Sequence, residues 1–404
     1  MTDAPLWTDL VSVLVVFSYF LLTTALLIWG ERRVVARMQS RLGPNRVGPF
    51  GIGQTLVDGV KMFFKEDVTP EMVDKAVYSV APMVGVVTGF LAVAIVPLGG
   101  TEAMGSQVAL FGESFTLQVA DIEIGVLWFL AMGSIHVYSV FLAGWASNSP
   151  YPLLGGVRAS AQMISYEIAQ GLAVASVFIY AGTLRVSEIV DIQALGEGLV
   201  SGMPNWFIVP LFPAFVIFLV AMVAEAGRPP FDLAEAEGEL VAGFHTEYSG
   251  LRFGMFMLAE FMGVIINSAI IVTLFLGGPA GPAFGPPEVA WIFPVVWFTL
   301  KTSLFVLFFI LLRAALPRFR YDALMTIGWR WLIPLGMVWV LATGFMVIVN
   351  EQVSNEARFG IAVGGIAVAG LLYLVAPLFT SKPATDTDPA PSETLGDDLE
   401  EVSL

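Results

Sequence analysis

The chain has 404 residues, of which 57% are hydrophobic and only 13% charged, a balance that excludes a water-soluble globular protein and implies a polytopic membrane protein. It has no cysteine and two histidines, His136 and His245, which excludes an iron–sulfur cluster or thiolate metal site held by this chain alone. The formal charge of -15 owes seven acids to residues 381–404, so it says little about a partner.

Nine apolar spans are expected, near 8–30, 77–98, 121–145, 160–182, 205–225, 253–277, 290–312, 328–349 and 359–379, giving an all-α fold. The first has acidic Asp3 and Asp9 ahead of it and Arg32-Arg33 behind it, the reverse of a cleavable signal peptide, so it should remain as an anchor. Residues 1–380 then form a single transmembrane domain, with cytoplasmic loops near 31–76, 146–159, 226–252 and 313–327. With the N-terminus outside, those loops, the inner edge of the eighth span at Arg330 and the C-terminal segment collect every Lys and Arg except Arg185, Arg358 and Lys301, which places the C-terminus in the cytoplasm. Residues 381–404, rich in Pro, Thr, Asp and Glu, cannot bury a core and are expected to be disordered. No internal repeat stands out, which disfavours a two-fold pseudosymmetric transporter.

In the first loop, Ile52, Leu56, Val60 and Phe63 recur at helical spacing while Asp58, Lys61 and Lys65 follow another face, the pattern of an amphipathic helix at the membrane surface. Its ordinary role would be that of a surface anchor.

The stretch from Glu225 to Tyr248 sets six carboxylates, Glu225, Asp232, Glu235, Glu237, Glu239 and Glu247, against the single arginine Arg228. If the chain is helical after Pro229-Pro230, Asp232, Glu235 and Glu239 share one face and Glu237 points elsewhere. Crowding and desolvation would raise and couple the titrations of such a group, as a proton-handling site requires. The competing reading is a water-facing loop whose acids pair with Arg228, Arg252 or a partner's basic residues.

Lys301 falls inside the seventh span, where a lysine costs roughly 2.5–3.5 kcal/mol, so it should face protein or water, either in a proton path or paired with an acid. Glu167 and Glu260 also enter spans. His136 is expected to be a satisfied buried histidine and His245 a loop contact to a partner. Arg313, Arg318 and Arg320, with Tyr321 and Asp322, have the ordinary explanation of basic residues on the inner side of a span.

Four strings carry a family resemblance: GPNRVGPFGIGQTLVDGVKMFFKED, VRASAQMISYEIAQGL, AEAGRPPFDLAEAEGELVAGFHTEYSG and LPRFRYDALM. In that order they resemble the quinone-site membrane subunit of proton-pumping NADH-quinone oxidoreductase, the H subunit of bacterial respiratory complex I. Two features depart from the pattern. Ala323 stands where the family more often has Gln, and the ninth span and acidic tail are not shared by every member.

The resemblance implies a multi-pass protein of a bacterial inner (plasma) membrane, partnered by the other membrane-arm subunits, the hydrophilic redox arm, lipid and a membrane quinone as substrate, with no nucleic acid. Electrons would reach the quinone through flavin and iron–sulfur clusters of partner subunits, this chain holding no flavin, haem, cluster or metal. It implies a quinone chamber lined by Glu31, Arg32, Arg41, Arg46, Asp58, Lys61, Arg228, Phe231 and Asp232. Proton coupling would fall to Glu167, Glu225, Glu235, Glu237, Glu239, Glu260 and Lys301, and docking of the hydrophilic arm to Arg313, Arg318, Arg320, Tyr321 and Asp322. Two other readings stay open: an ion-transporting subunit of a related nickel–iron hydrogenase, and a self-sufficient cation/proton antiporter.

Overall fold

The computed structural model describes residues 5–104, 107–110, 113–196, 205–234, 240–282 and 291–352. The expected ninth span, the acidic segment 381–404, and Glu235, Glu237 and Glu239 lie outside the described residues.

In chain order the elements are α1 (Leu6–Met38), α2 (Gln54–Phe64), α3 (Lys75–Val93), the strands β1 (Val108–Leu110) and β2 (Glu113–Phe115), α4 (Gly125–Ala146), α5 (Pro150–Ala181), α6 (Val186–Leu195), α7 (Phe212–Glu225), α8 (Gly250–Phe275), α9 (Ile292–Ala315), α10 (Tyr321–Thr326) and α11 (Ile333–Gln352). A π-helical turn, Ile327–Leu332, joins α10 to α11, so Tyr321–Val349 acts as one span. Seven helices among the described residues are long and apolar enough to cross a membrane, and α7 is a shorter apolar helix. The fold is all-α apart from the antiparallel β1–β2 hairpin, whose Phe115 meets Trp7 of α1 edge-on at 6.2 Å.

Three boundaries differ from the sequence reading. Helix α1 runs on to Met38, carrying Glu31, Arg32 and Arg33 on a regular helix. Helix α5 starts at Pro150, because a proline at the first helical position loses no intrahelical bond, and so most of the expected 146–159 loop is helical. Helix α7 has only 14 residues, rising about 21 Å against a hydrocarbon thickness of about 30 Å. The turns before it, at 205–211, are partly covered by protein: Phe207 and Leu211 are fully buried.

The bundle is centred on α8, whose apolar stretch is 67% buried, against 22% for α9 and for the final span. The face of α2 bearing Ile52, Leu56, Val60 and Phe63 is exposed, as a helix lying on a membrane surface requires.

Pro82 sits inside α3 and has no N–H for the carbonyl of Tyr78 one turn earlier. The Tyr248 hydroxyl takes over, donating to Tyr78 O at 3.2 Å. Tyr78 donates in return to Glu247 O at 2.7 Å, and the two rings stack at 4.1 Å. A helix defect thus becomes the anchor for the far end of the acidic loop.

Helices α4 and α5 cross where Gly144 faces Pro152 and Gly156: a Cβ at Gly144 would lie 2.5 Å from the Pro152 carbonyl oxygen. Because that obstacle is backbone, Gly144→Ala should destabilise the bundle by about 1–3 kcal/mol, read as a lower thermal unfolding midpoint of the purified assembly. Gly263→Ala, at a position open to a new Cβ, is the control and should leave the midpoint in place.

Candidate functional site

The site is built on the turn that follows α7. Helix α7 ends at Glu225, Gly227 turns the chain at φ +60°, and the Pro229-Pro230 bond is cis. Gln162 of α5 holds the turn from both sides, its amide donating to Ala224 O at 2.7 Å and Phe231 O at 2.6 Å. Phe231 is buried edge-on against Tyr166 (5.3 Å) and Phe319 (5.7 Å).

This packing leaves Arg228 only 3% exposed. Its Nη1 donates to Glu31 of α1 at 3.1 Å, its Nη2 lies 3.0 Å from Glu260 of α8, and its guanidinium sits 4.6 Å from the Phe261 ring centroid. Glu31 also accepts from Arg313 at the end of α9. Two arginines and two glutamates therefore alternate in the order Arg313, Glu31, Arg228, Glu260. Beside them Asp232, also buried, accepts from Arg318 at 2.7 Å.

Glu260 borders a cavity of about 90 Å³, room for a few waters, that is also lined by Glu225, His136, Asn267, Thr88 and Gly133. One carboxylate oxygen of Glu225 is sealed from solvent with no hydrogen-bond partner among the described residues. Gln170 and Glu167 lie within electrostatic reach of Glu225. Glu167 accepts from Ser134. His136 is half-buried, with Nδ1 at 3.4 Å from the Thr88 hydroxyl. Sequence reasoning misses Gln162, Phe261, Asn267 and Ser134, since neutral residues inside apolar helices carry no signal until their neighbours are known.

The remaining residues fall elsewhere. Arg32 pairs with Asp58 of α2. Burial opposes the Asp58 charge, but hydrogen bonds from Arg32 and Gln54 outweigh it and hold this carboxyl below the usual carboxylate range. Lys61, Arg41 and Arg46 are exposed, outside the buried network, and Arg41 donates to Gln39 at 2.7 Å. Arg320 and Asp322 form an exposed pair next to half-buried Tyr321. Of the five residues expected to dock a partner, all but Tyr321 thus make ion pairs within the chain, two of them, Arg313 and Arg318, with the buried acids Glu31 and Asp232.

Two further expectations, for Asp232 and His245, are corrected. Asp232 is not helical, because the turn after the prolines is irregular. Among the described residues Arg228 meets Glu31 and Glu260, and Arg252 meets Asp67 at 3.4 Å. His245 is buried between Phe244 and Phe253 rather than presented to a partner. Lys301 does not reach the glutamates of the cavity; its ammonium donates to the carbonyls of Leu276, Gly278 and Ala280 at 2.7–3.0 Å, where α8 ends, and lies 5.3 Å from the Trp206 ring. Carbonyls of the turn just past a helix C-terminus, where the helix dipole also favours positive charge, are a natural seat for a cation.

Membrane-length helices around a partly buried file of alternating charges define a polytopic membrane protein. A family model described as NADH dehydrogenase matches residues 11–344. A protein of Frankia casuarinae is 48% identical over 377 residues, covering 93% of this chain and 80% of its own length, and one of Frankia alni is 46% identical over 379 residues with the same coverage. A protein of Streptomyces avermitilis is 42% identical over 392 residues, 96% of this chain and 84% of its own. All three are named as the H subunit of NADH-quinone oxidoreductase. The chain belongs to this family of NADH-quinone oxidoreductase H subunits.

Removing Arg228 leaves Glu31 and Glu260 buried with less compensation. Arg228→Met should therefore lower stability by about 3–5 kcal/mol, whereas Arg32→Ala, at an exposed pair, should cost under about 1 kcal/mol. Thermal unfolding of the assembled complex distinguishes them, and adding Glu31→Gln and Glu260→Gln to Arg228→Met should restore part of the loss.

Proposed function

We propose that this chain forms the membrane wall of the quinone chamber of a proton-pumping NADH-quinone oxidoreductase and begins the path that couples quinone reduction to proton movement. The observation that carries the reading is Arg228, whose guanidinium touches Glu31 on the chamber side and Glu260 on the cavity side. The family membership and the names of its relatives support it. In this reading the chain sits in a bacterial inner membrane, N-terminus outside, with α2 and the turn after α7 at the cytoplasmic surface against the hydrophilic arm, and it meets the other membrane-arm subunits within the bilayer.

Quinone reduction takes up two electrons and two protons. The electrons come from partner subunits, and this chain's part is electrostatic. Arg32, Arg41, Arg46, Asp58 and Lys61 frame the entrance, while Phe231, Asp232, Glu31 and Arg228 stand at its inner end. Negative charge developing on the bound quinone draws Arg228 and Arg313 toward it. Glu260 then loses part of its counter-charge and holds a proton more tightly, taking it from the cavity that it shares with Glu225, with Glu167 next in line. Glu235, Glu237 and Glu239 belong to the same proposed relay by their place in the loop. Lys301 has a structural part in it, tying α9 to the end of α8.

Asp232→Asn or Glu235→Gln should depress NADH-driven quinone reduction while leaving NADH oxidation by a water-soluble acceptor nearly intact; equal loss of both activities would indicate failed assembly and count against the relay. Arg46→Ala should weaken inhibitors that occupy the quinone passage, and unchanged inhibitor affinity in an assembled complex would remove Arg46 from the chamber. Ion exchange by vesicles containing this chain alone would favour an antiporter instead.

A further inference from the structure

The basic end of α1 carries a second constellation, on the side turned away from Glu31. Leu22, Leu26, Trp29, Arg33 and Arg37 recur at spacings of three and four and so lie on one stripe of the helix, while Glu31 is buried on the opposite side. Leu22 and Leu26 are exposed along that stripe. At its end, Trp29, Gly30, Arg33, Val34, Arg37 and Phe50 enclose a pocket of about 380 Å³.

The pocket is organised around a fixed arginine. Arg33 Nη1 donates to the carbonyls of Phe50 and Pro44, and its guanidinium lies 5.7 Å and 5.3 Å from the ring centroids of Trp29 and Phe50. Trp29 in turn donates to Phe50 O at 3.1 Å, closing the loop onto the helix. Among the described residues, Nη2 and Nε of Arg33 have no partner and Arg37, one turn on, makes no ion pair. Gly30 leaves the floor open: a Cβ there would meet nothing within 4 Å.

We propose that this pocket binds the phosphate of an anionic phospholipid, with the acyl chains laid along Leu26 and Leu22. Guanidinium groups match phosphate oxygens in geometry and charge, indole rings settle at the membrane interface, and basic groups there attract anionic headgroups. The stripe reads apolar, aromatic, basic, the order in which a phospholipid presents its chains, glycerol and phosphate. The site is separate from the Glu31 network and stands whether or not the quinone reading holds.

The test uses the assembled complex in phosphatidylcholine nanodiscs containing a photoactivatable phosphatidylglycerol, with cross-links mapped to peptides. Labelling of the stripe 22–37 should exceed that by a photoactivatable phosphatidylcholine and should fall about fivefold for each of Arg33→Gln and Arg37→Gln. Gly30→Leu, which fills the pocket and keeps both charges, should block labelling as well. Equal labelling by the two lipids overturns the proposal. Labelling that survives Gly30→Leu overturns it in favour of diffuse surface attraction. Labelling abolished by millimolar inorganic phosphate overturns the lipid as ligand and leaves a free-phosphate site.

Discussion

A guanidinium taken out of water inside an apolar bundle is tolerated only where carboxylates meet it at contact distance and its remaining surface finds other partners. Arg228 satisfies that demand with Glu31, Glu260 and the face of Phe261, and much of the surrounding geometry follows from it. Helix α1 must bring Glu31 inward, so it stays helical well past the apolar stretch that would have sufficed for crossing. Helix α8 must present Glu260 and Phe261 together, which consecutive positions allow because the ion pair and the ring use different parts of one guanidinium. The turn after α7 must hold Arg228 in place, and Gln162 does this through backbone carbonyls on both sides of it. Arg313 then completes the charge balance that the second glutamate requires.

The acidic loop that begins at this turn is held at each end by neutral hydrogen bonds, with the Asp232–Arg318 ion pair beside the first of them. At one end Gln162 holds Phe231; at the other Tyr78 and Tyr248 exchange hydrogen bonds across the break made by Pro82. These neutral bonds do not vary with the protonation of the carboxylates between them.

Most of the bundle is legible in the sequence, because hydropathy over span-length windows depends on composition and not on contacts. Features decided by a neighbour are not. The shortness of α7 is hidden by the apolar residues of 205–211, which form turns yet read the same as helix. The β1–β2 hairpin and α6 lie in connections with no clear periodicity. Sequence names the candidate charges individually but matches Arg228 to the acids nearest in the chain, whereas Glu31 and Glu260 come from α1 and α8. The sequence shows that Lys301 needs partners inside the span but not that these are the carbonyls just past the end of α8.

A file of buried charges does not by itself transmit anything, since coupling requires an element with two arrangements that both sites can bias. Arg228 has the components of such an element. It has a carboxylate on either side, and one of them, Glu31, is shared with a second arginine whose hold can strengthen or weaken. Inside the bundle the interactions are poorly screened, so a small displacement toward Glu31 changes the environment of Glu260 by more than the same displacement would in water. The cavity beyond Glu260 is the right size for a few waters and is bordered by Glu225, which on the proposed reading gives Glu260 a source from which to take a proton. On the proposed reading, the electrostatic step at the quinone and the proton step in the cavity therefore share a single side chain. That would explain how a chain without a cysteine could take part in redox-driven work.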